Sequence, residues 1–306
     1  MSGEPIVVGV DGSPESAAAA AVGWMLAQAM GVDCRLVHAT RAVRSAEPLA
    51  GAGVSLDALE LAMLARARME VLETLGDIVP APVTQALIVR PGRTGAVLSE
   101  VIADTGAQML VLGGKHHSTL GRWLGGSTVQ HVVRRLNVPL LVTTGELRPR
   151  PRVMVAVDIS YAAKPTIEGA ISFAQLLGGP LHALHVIEPS ITVPEVLLRS
   201  EPLDYEAWSR ERIERDLWSL LPVPDHHKVI RRGEARATIT EEAAAWRADV
   251  IVVGSHGKGW IDRLLIGSVT EELLNDLPCA VLVIPVPAPV RREMATARVR
   301  TAVAPA

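Results

Sequence analysis

The chain spells one order of segments twice. Short apolar runs rich in Val, Ile and Leu alternate with helical stretches, and the order restarts after Pro151. The runs cover residues 6–11, 34–39, 83–89, 108–113 and 138–143, then 152–158, 181–187, 228–231, 250–254 and 280–284. The first run of each pass ends in a carboxylate, Asp11 or Asp158, and the fourth ends in a glycine, Gly113 or Gly254. The two separations nearly match, so the chain is an internal repeat. A run unbroken by polar residues suits a strand buried on both faces. Strands alternating with helices imply a parallel sheet with right-handed crossovers. Each pass is a full α/β unit, and 306 residues accommodate about two domains. The expected division is 1–145, a linker over 146–151, 152–287, and a tail over 288–306. The tail holds Pro, Ala and Arg without periodicity and is expected to be disordered.

Helix boundaries are written in the same plain signals. Ser13-Pro14-Glu15 gives a capping hydroxyl, a proline in the first helical position and an acid in the first turn, and Gly31 stops that helix. Leucines and methionines at helical spacing predict a helix over 56–75, and others are expected over 94–105, up to 177, over 202–221 and from 234 to about 247. A loop rich in Ala, Gly and Pro separates the second run from the helix at 56.

The fourth run of the second pass carries the most informative spacing. Val250-Ile251-Val252-Val253-Gly254 is followed by Ser255-His256-Gly257, nine residues, and Gly267-Ser268-Val269-Thr270-Glu271. Gly254 and Gly257 let the backbone turn with no Cβ in a ligand's way. Ser268 with Glu271 predicts a capping box at the start of a helix whose free N–H groups suit a phosphate. In open α/β sheets ligands bind beyond the carboxyl ends of the strands, where the strand order reverses. The sequence leaves that order open. In the order 3-2-1-4-5 Asp158 would face the Gly254 loop, and Asp11 would face Gly113. A carboxylate repels a triphosphate, so the acid should meet the nucleoside end.

The pattern G-x2-G-x9-G-S resembles the ATP-binding signature of the universal stress protein family, and the resemblance covers both repeats. It implies two tandem flavodoxin-like, Rossmann-like domains, each a five-stranded parallel sheet of order 3-2-1-4-5 with helices on both faces. It implies ATP as the ligand, with or without Mg2+. By resemblance Asp158 contacts the nucleoside and Val186 lies against adenine. Val253, Gly254, Gly257, Gly267, Ser268 and Val269 line the nucleotide. The corresponding positions of the first repeat are Asp11, Ala39, Gly113, Gly126, Ser127 and Thr128. That repeat departs from the pattern, since His116 replaces the second glycine and Ala39 the valine. A non-glycine residue at a left-handed position costs about 1–2 kcal/mol. Lys115 and a protonated His116 could instead contact phosphate. Weaker or altered binding is expected there.

Several function classes fall away. A net charge of −3 gives no electrostatic case for nucleic acid. The start of the chain lacks the basic and apolar regions of a signal peptide, and residues 17–30 are too short and too rich in alanine to span a bilayer. Two cysteines in different halves read as small buried residues of a reducing compartment. A cytoplasmic location follows. Gly121 to Thr128 imitates a phosphate-loop spacing but lacks its lysine. The pairs His116-His117 and His226-His227 have no partner at ligand spacing, so no metal is expected. His38 and His185 read as sheet or pocket-edge residues. No nucleophile–base pairing is visible. The reading is a non-enzymatic, ATP-binding stress-response protein, with a nucleotide-free scaffold or a slow ATPase as alternatives. The apolar last strands are expected to pair across a pseudo-two-fold axis within the chain, with further homodimerisation and an unidentified protein partner.

Overall fold

The computed structural model describes residues 3–40, 56–114, 137–188, 205–224, 227–255 and 267–286. Strand β1 (Ile6–Gly9) leads to helix α1 (Pro14–Met30), β2 (Cys34–Thr40), α2 (Leu56–Leu75), a one-turn α3 (Ala81–Gln85), β3 (Ile88–Pro91), α4 (Thr94–Thr105), β4 (Met109–Gly113) and β5 (Leu140–Thr143). The second repeat gives β6 (Val153–Val157), α5 (Ala163–Leu177), β7 (Leu181–Ile187), α6 (Tyr205–Asp216), β8 (Lys228–Arg232), α7 (Ala235–Trp246), β9 (Val250–Gly254), α8 (Ser268–Asn275) and β10 (Ala280–Ile284).

The ten strands form one sheet in the order β3-β2-β1-β4-β5-β10-β9-β6-β7-β8. Each repeat is parallel with the order 3-2-1-4-5, and β5 and β10 join them antiparallel, Val142 opposite Val281 and Leu140 opposite Val283. The last strands therefore pair within one chain, as their apolar character predicts. Side chains alternate across the pleat. Ile6, Val8, Val155, Val252 and Leu282 enter one core with α1, α2 and α5. Val7, Leu110, Met154, Ile251 and Val283 enter the other with α4, α7 and α8. Both cores run through both repeats, so the sheet has no internal break in burial.

The predicted signals set α1. The Ser13 hydroxyl accepts the Ser16 N–H at 3.2 Å, and Gly31 closes the helix in the left-handed region at φ 68°. Three expectations need correction. Residues 83–89 are not one strand: α3 occupies the start and β3 begins only at Ile88. Pro80 adopts the extended cap conformation and Pro82 lies within the first two helical positions, where its missing N–H is harmless. The Arg68 guanidinium then donates to the carbonyls of Thr84, Gln85 and Leu87, satisfying the end of the short helix. The helix expected over 202–221 is α6 followed by a 3-10 turn, Trp218–Leu220. Pro222 disfavours helical backbone at Leu221, which is extended. Strands β1 and β6 stop short of Asp11 and Asp158, which stand on the following turns. Of the loop expected over 40–54 only Thr40 is described, and it closes β2; the rest of that loop, the start of the charged helix at Pro202 and the tail over 288–306 lie outside the described residues. No helix among the described residues is long and apolar enough to cross a membrane.

Candidate functional site

Adjacent carboxyl ends of β7, β6 and β9 build the crevice of the second repeat. Val157 of β6 is level with His185 of β7, so the next pair is Asp158 and Val186. On the other side Val155 is level with Val252, and the register continued by three residues brings Asp158 opposite Ser255, just past Gly254. Asp158, Val186 and Gly254 thus converge on one sheet edge. A turn fixes the carboxylate: Asp158 Oδ1 accepts the Ser160 amide at 3.0 Å and its hydroxyl at 2.5 Å. The Ser160 hydroxyl in turn accepts the Ala162 N–H at 3.1 Å. Tyr161, 38% exposed, follows that turn. Partial burial and the Asp158 charge raise its phenol pKa above the usual value.

The start of α8 meets the end of β9 at the same edge. Thr270 donates its hydroxyl to the Gly254 carbonyl at 2.8 Å, and the Gly267 N–H donates to the Ser255 carbonyl at 3.0 Å. Ser255 is itself locked: its N–H donates to Ile284 O at 2.9 Å, and its hydroxyl accepts the Val286 N–H at 3.0 Å. These bonds tie the end of β9 to the start of α8, bringing Gly254 and Gly267 together. The expected capping box does not form. Gly267 is the cap residue, Ser268 is the first helical residue, and no side-chain cap bond is made. The Gly267 carbonyl already accepts the Glu271 N–H at 2.9 Å, so Ser268 is drawn into the helix. Its side chain is exposed and the first-turn amides have no capping hydroxyl. Such an end favours an anion through both its donors and its dipole. Val253 is 4% exposed and packs into the core with the half-buried Val269, so at this edge their side chains are turned to the core. Gly257 lies outside the described residues.

Two groups that fix this edge escaped the sequence reading as such. His185 Nδ1 donates to the Val157 carbonyl at 2.8 Å, and in the first repeat His38 Nδ1 makes the same bond to Val10 at 2.7 Å. A carbonyl can only accept, so Nδ1 carries a proton in both. Each histidine pins the strand end directly before the aspartate. Their matching repeat positions were the available signal. Thr270 gave none, because a hydroxyl three residues into a glycine-led helix has no fixed target until the fold is known.

The first repeat repeats half of this arrangement. Asp11 Oδ1 accepts the Ser13 hydroxyl at 2.6 Å and its amide at 3.1 Å. Burial pushes the Asp11 carboxyl up, but the bonds from Ser13 and Ser16 outweigh it and hold the pKa below the usual value. Gly9 is level with Val37, so Asp11 falls opposite Ala39. A Cβ on Gly113 would overlap the Glu15 backbone carbonyl, so the start of α1 is seated directly on this glycine. Gly126, Ser127, Thr128, Lys115, His116, His117, Trp123, His226 and Trp260 lie outside the described residues. Burial lifts the thiols of buried Cys34 and half-buried Cys279 to about 12, as suits unreactive positions. Among the described residues no three His, Cys, Asp or Glu side chains gather as a metal site.

Comparison with known proteins places this geometry among relatives. The model of the universal stress protein family matches residues 3–144 and again 149–285. The universal stress protein Rv2005c of Mycobacterium tuberculosis is 28% identical over 289 residues, covering 91% of this chain and 96% of the relative. A Thermus aquaticus universal stress protein is 31% identical over 137 residues, covering 43% of this chain and 96% of its own length. In fold, the crystal structure of a universal stress protein from Archaeoglobus fulgidus superposes with a TM-score of 0.62 at 19% identity, over 92% of this chain and 98% of the other.

Proposed function

This chain belongs to the universal stress protein family, and we propose that it binds ATP at the carboxyl edge of its second repeat and acts through that binding, without dedicated catalysis. One observation carries the reading. The uncapped start of α8 is tied by Thr270 and Gly267 to the end of β9, one strand away from Asp158. The α8 amides and Gly254 take the phosphates, Asp158 the nucleoside, and Val186 the adenine face. Residues 1–145 and 152–287 are the two domains of this proposal. The first binds nucleotide more weakly, because Ala39 offers less surface than Val186 and His116 replaces the second glycine.

The test is to identify by chromatography any nucleotide released on denaturing the purified chain, then to titrate ATP into the stripped protein. Asp158→Ala should weaken binding about tenfold or more, the scale of one lost charge-assisted hydrogen bond. Asp11→Ala should change it little. A chain that purifies empty and takes up no ATP would leave a scaffold of the same fold. Equal losses from Asp158→Ala and Asp11→Ala would overturn the assignment to the second repeat.

A further inference from the structure

Helix α8 buries Thr270, Leu273 and Leu274 along one face, at 4%, 0% and 4% exposure. Two of the three are leucine, and the first repeat has Val129 where the second has Thr270. A hydroxyl on such a face costs free energy unless it is bonded, whereas valine fills nearly the same space with no polar atom. Packing alone therefore gives no reason for threonine. The reason lies in a bond between elements: the hydroxyl reaches from the first turn of α8 to the Gly254 carbonyl, 2.8 Å away at the end of β9.

That bond has two consequences for an anion at this edge. The first helical bond of α8 runs from the Glu271 N–H to the Gly267 carbonyl, so the N–H groups of Ser268, Val269 and Thr270 have no acceptor within the helix. Thr270 carries one of these donors on its backbone while its side chain is anchored to the strand, which fixes where the donors point relative to Gly254. The bond also engages the Gly254 carbonyl, an acceptor that would otherwise present its negative end to an anion beside this glycine. Ser255 braces the same strand end through β10. The Gly114 N–H donates to Thr143 as the Ser255 N–H donates to Ile284, so these positions correspond in the fold. By sequence the first repeat lacks both hydroxyls, with Gly114 for Ser255 and Val129 for Thr270. We infer that Thr270 is the residue that positions the phosphate end of the second-repeat site, and so discriminates a nucleoside triphosphate from a bare nucleoside there. This rests on the ATP-binding reading above. Thr270 is a positioning residue: its buried hydroxyl acts through Gly254 and the α8 amides and does not itself meet the ligand.

The test titrates ATP and adenosine separately into the full-length chain, stripped of nucleotide, as wild type, Thr270→Val and Thr270→Ser. Thr270→Val should weaken ATP about tenfold. It should leave adenosine, which Asp158 and Val186 hold, unchanged. Thr270→Ser keeps the hydroxyl while losing the methyl group, and should return ATP to the wild-type affinity. Wild-type ATP affinity in Thr270→Val would overturn the inference and leave the ATP site standing. Equal losses for ATP and adenosine, or a serine variant as weak as the valine one, would also overturn it, because either result marks a packing role alone. A wild-type chain that takes up no ATP would overturn the ATP reading itself, and this inference with it.

Discussion

The imidazole of His182 is 3% exposed at the amino end of β7. Its Nε2 donates to Glu242 Oε1 at 3.0 Å, and its ring stacks on Trp246 with centroids 4.9 Å apart. Glu242 also accepts Arg231 Nε at 2.9 Å, Arg152 lies 4.3 Å over the Trp246 ring, and the His227 ring approaches edge-on at 5.9 Å. With Nε2 protonated, Nδ1 is a buried acceptor without a hydrogen-bond partner. Burial lowers the His182 pKa below 6.5, and the attraction of Glu242 only partly offsets this against His227 and Arg231. The sign follows from linkage. The unfolded chain takes up this proton at its ordinary pKa, whereas the folded chain resists it. Above that pKa the contribution to stability is complete, and it is lost as the pH falls through 6.5 toward the lower folded value. Thermal unfolding followed from neutral to mildly acid pH should therefore fall less steeply in His182→Gln than in the wild type. Parallel curves would show that the buried ring contributes nothing to acid sensitivity.

Helix ends show how local rules and tertiary demands divide the work. Helices α1, α4 and α5 end on Gly31, Gly106 and Gly178 at φ 68°, 61° and 63°, all readable as glycines after periodic stretches. Helix α7 ends instead on Arg247 at φ 56°, where a side chain resists the left-handed region. Arg247→Gly should stabilise the chain by about 1 kcal/mol, seen as a rise of about 2 °C in Tm. An unchanged or lower Tm would mean that the surrounding contacts favour arginine. The same division explains what the sequence made legible. Apolar runs gave the strands of both repeats, and Ser13 with Gly31 gave α1 to the residue, because these depend on neighbours in sequence. Residues 83–89 misled because Val83, Ile88 and Val89 suit a strand, while Pro80 and Pro82 permit a helical turn that Arg68, from α2, completes. Ser268 misled because the bond from Gly267 to Ser255, twelve residues earlier, moves the cap by one position. At the candidate site, the meeting of Asp158, Val186, Gly254 and Gly267 at one sheet edge was legible as a spacing. Thr270 and Ser255 were not, since their partners are set by the approach of α8 to β9 and β10.

At the scale of the molecule, the antiparallel junction between β5 and β10 decides whether the repeats are separable. Leu140, Leu141 and Val142 are at most 2% exposed, and so are Val281, Leu282 and Val283. Each strand covers the other's open edge, and both cores continue across the seam. The linker adds to the constraint. Arg148 Nε donates to Asp249 Oδ1 at 2.7 Å, the Arg152 N–H to Oδ2 at 2.6 Å, and Arg150 Nε to the Gly178 carbonyl at 2.9 Å. Residues 148–152 are thus strapped to the second repeat and do not act as a free hinge. A fragment spanning 152–287 would expose β10 as an apolar edge with unpaired backbone groups. It should therefore self-associate through β10 into a dimer that imitates the seam, and lose that dimer on adding a fragment spanning 1–151. Sedimentation of each fragment and of the mixture reads this directly. Val281→Pro in the 152–287 fragment removes a ladder donor that faces β5 at the seam and should shift it toward monomer. A wild-type fragment that sediments as a folded monomer would show that the seam joins two independently finished domains and that the continuous cores add little to either.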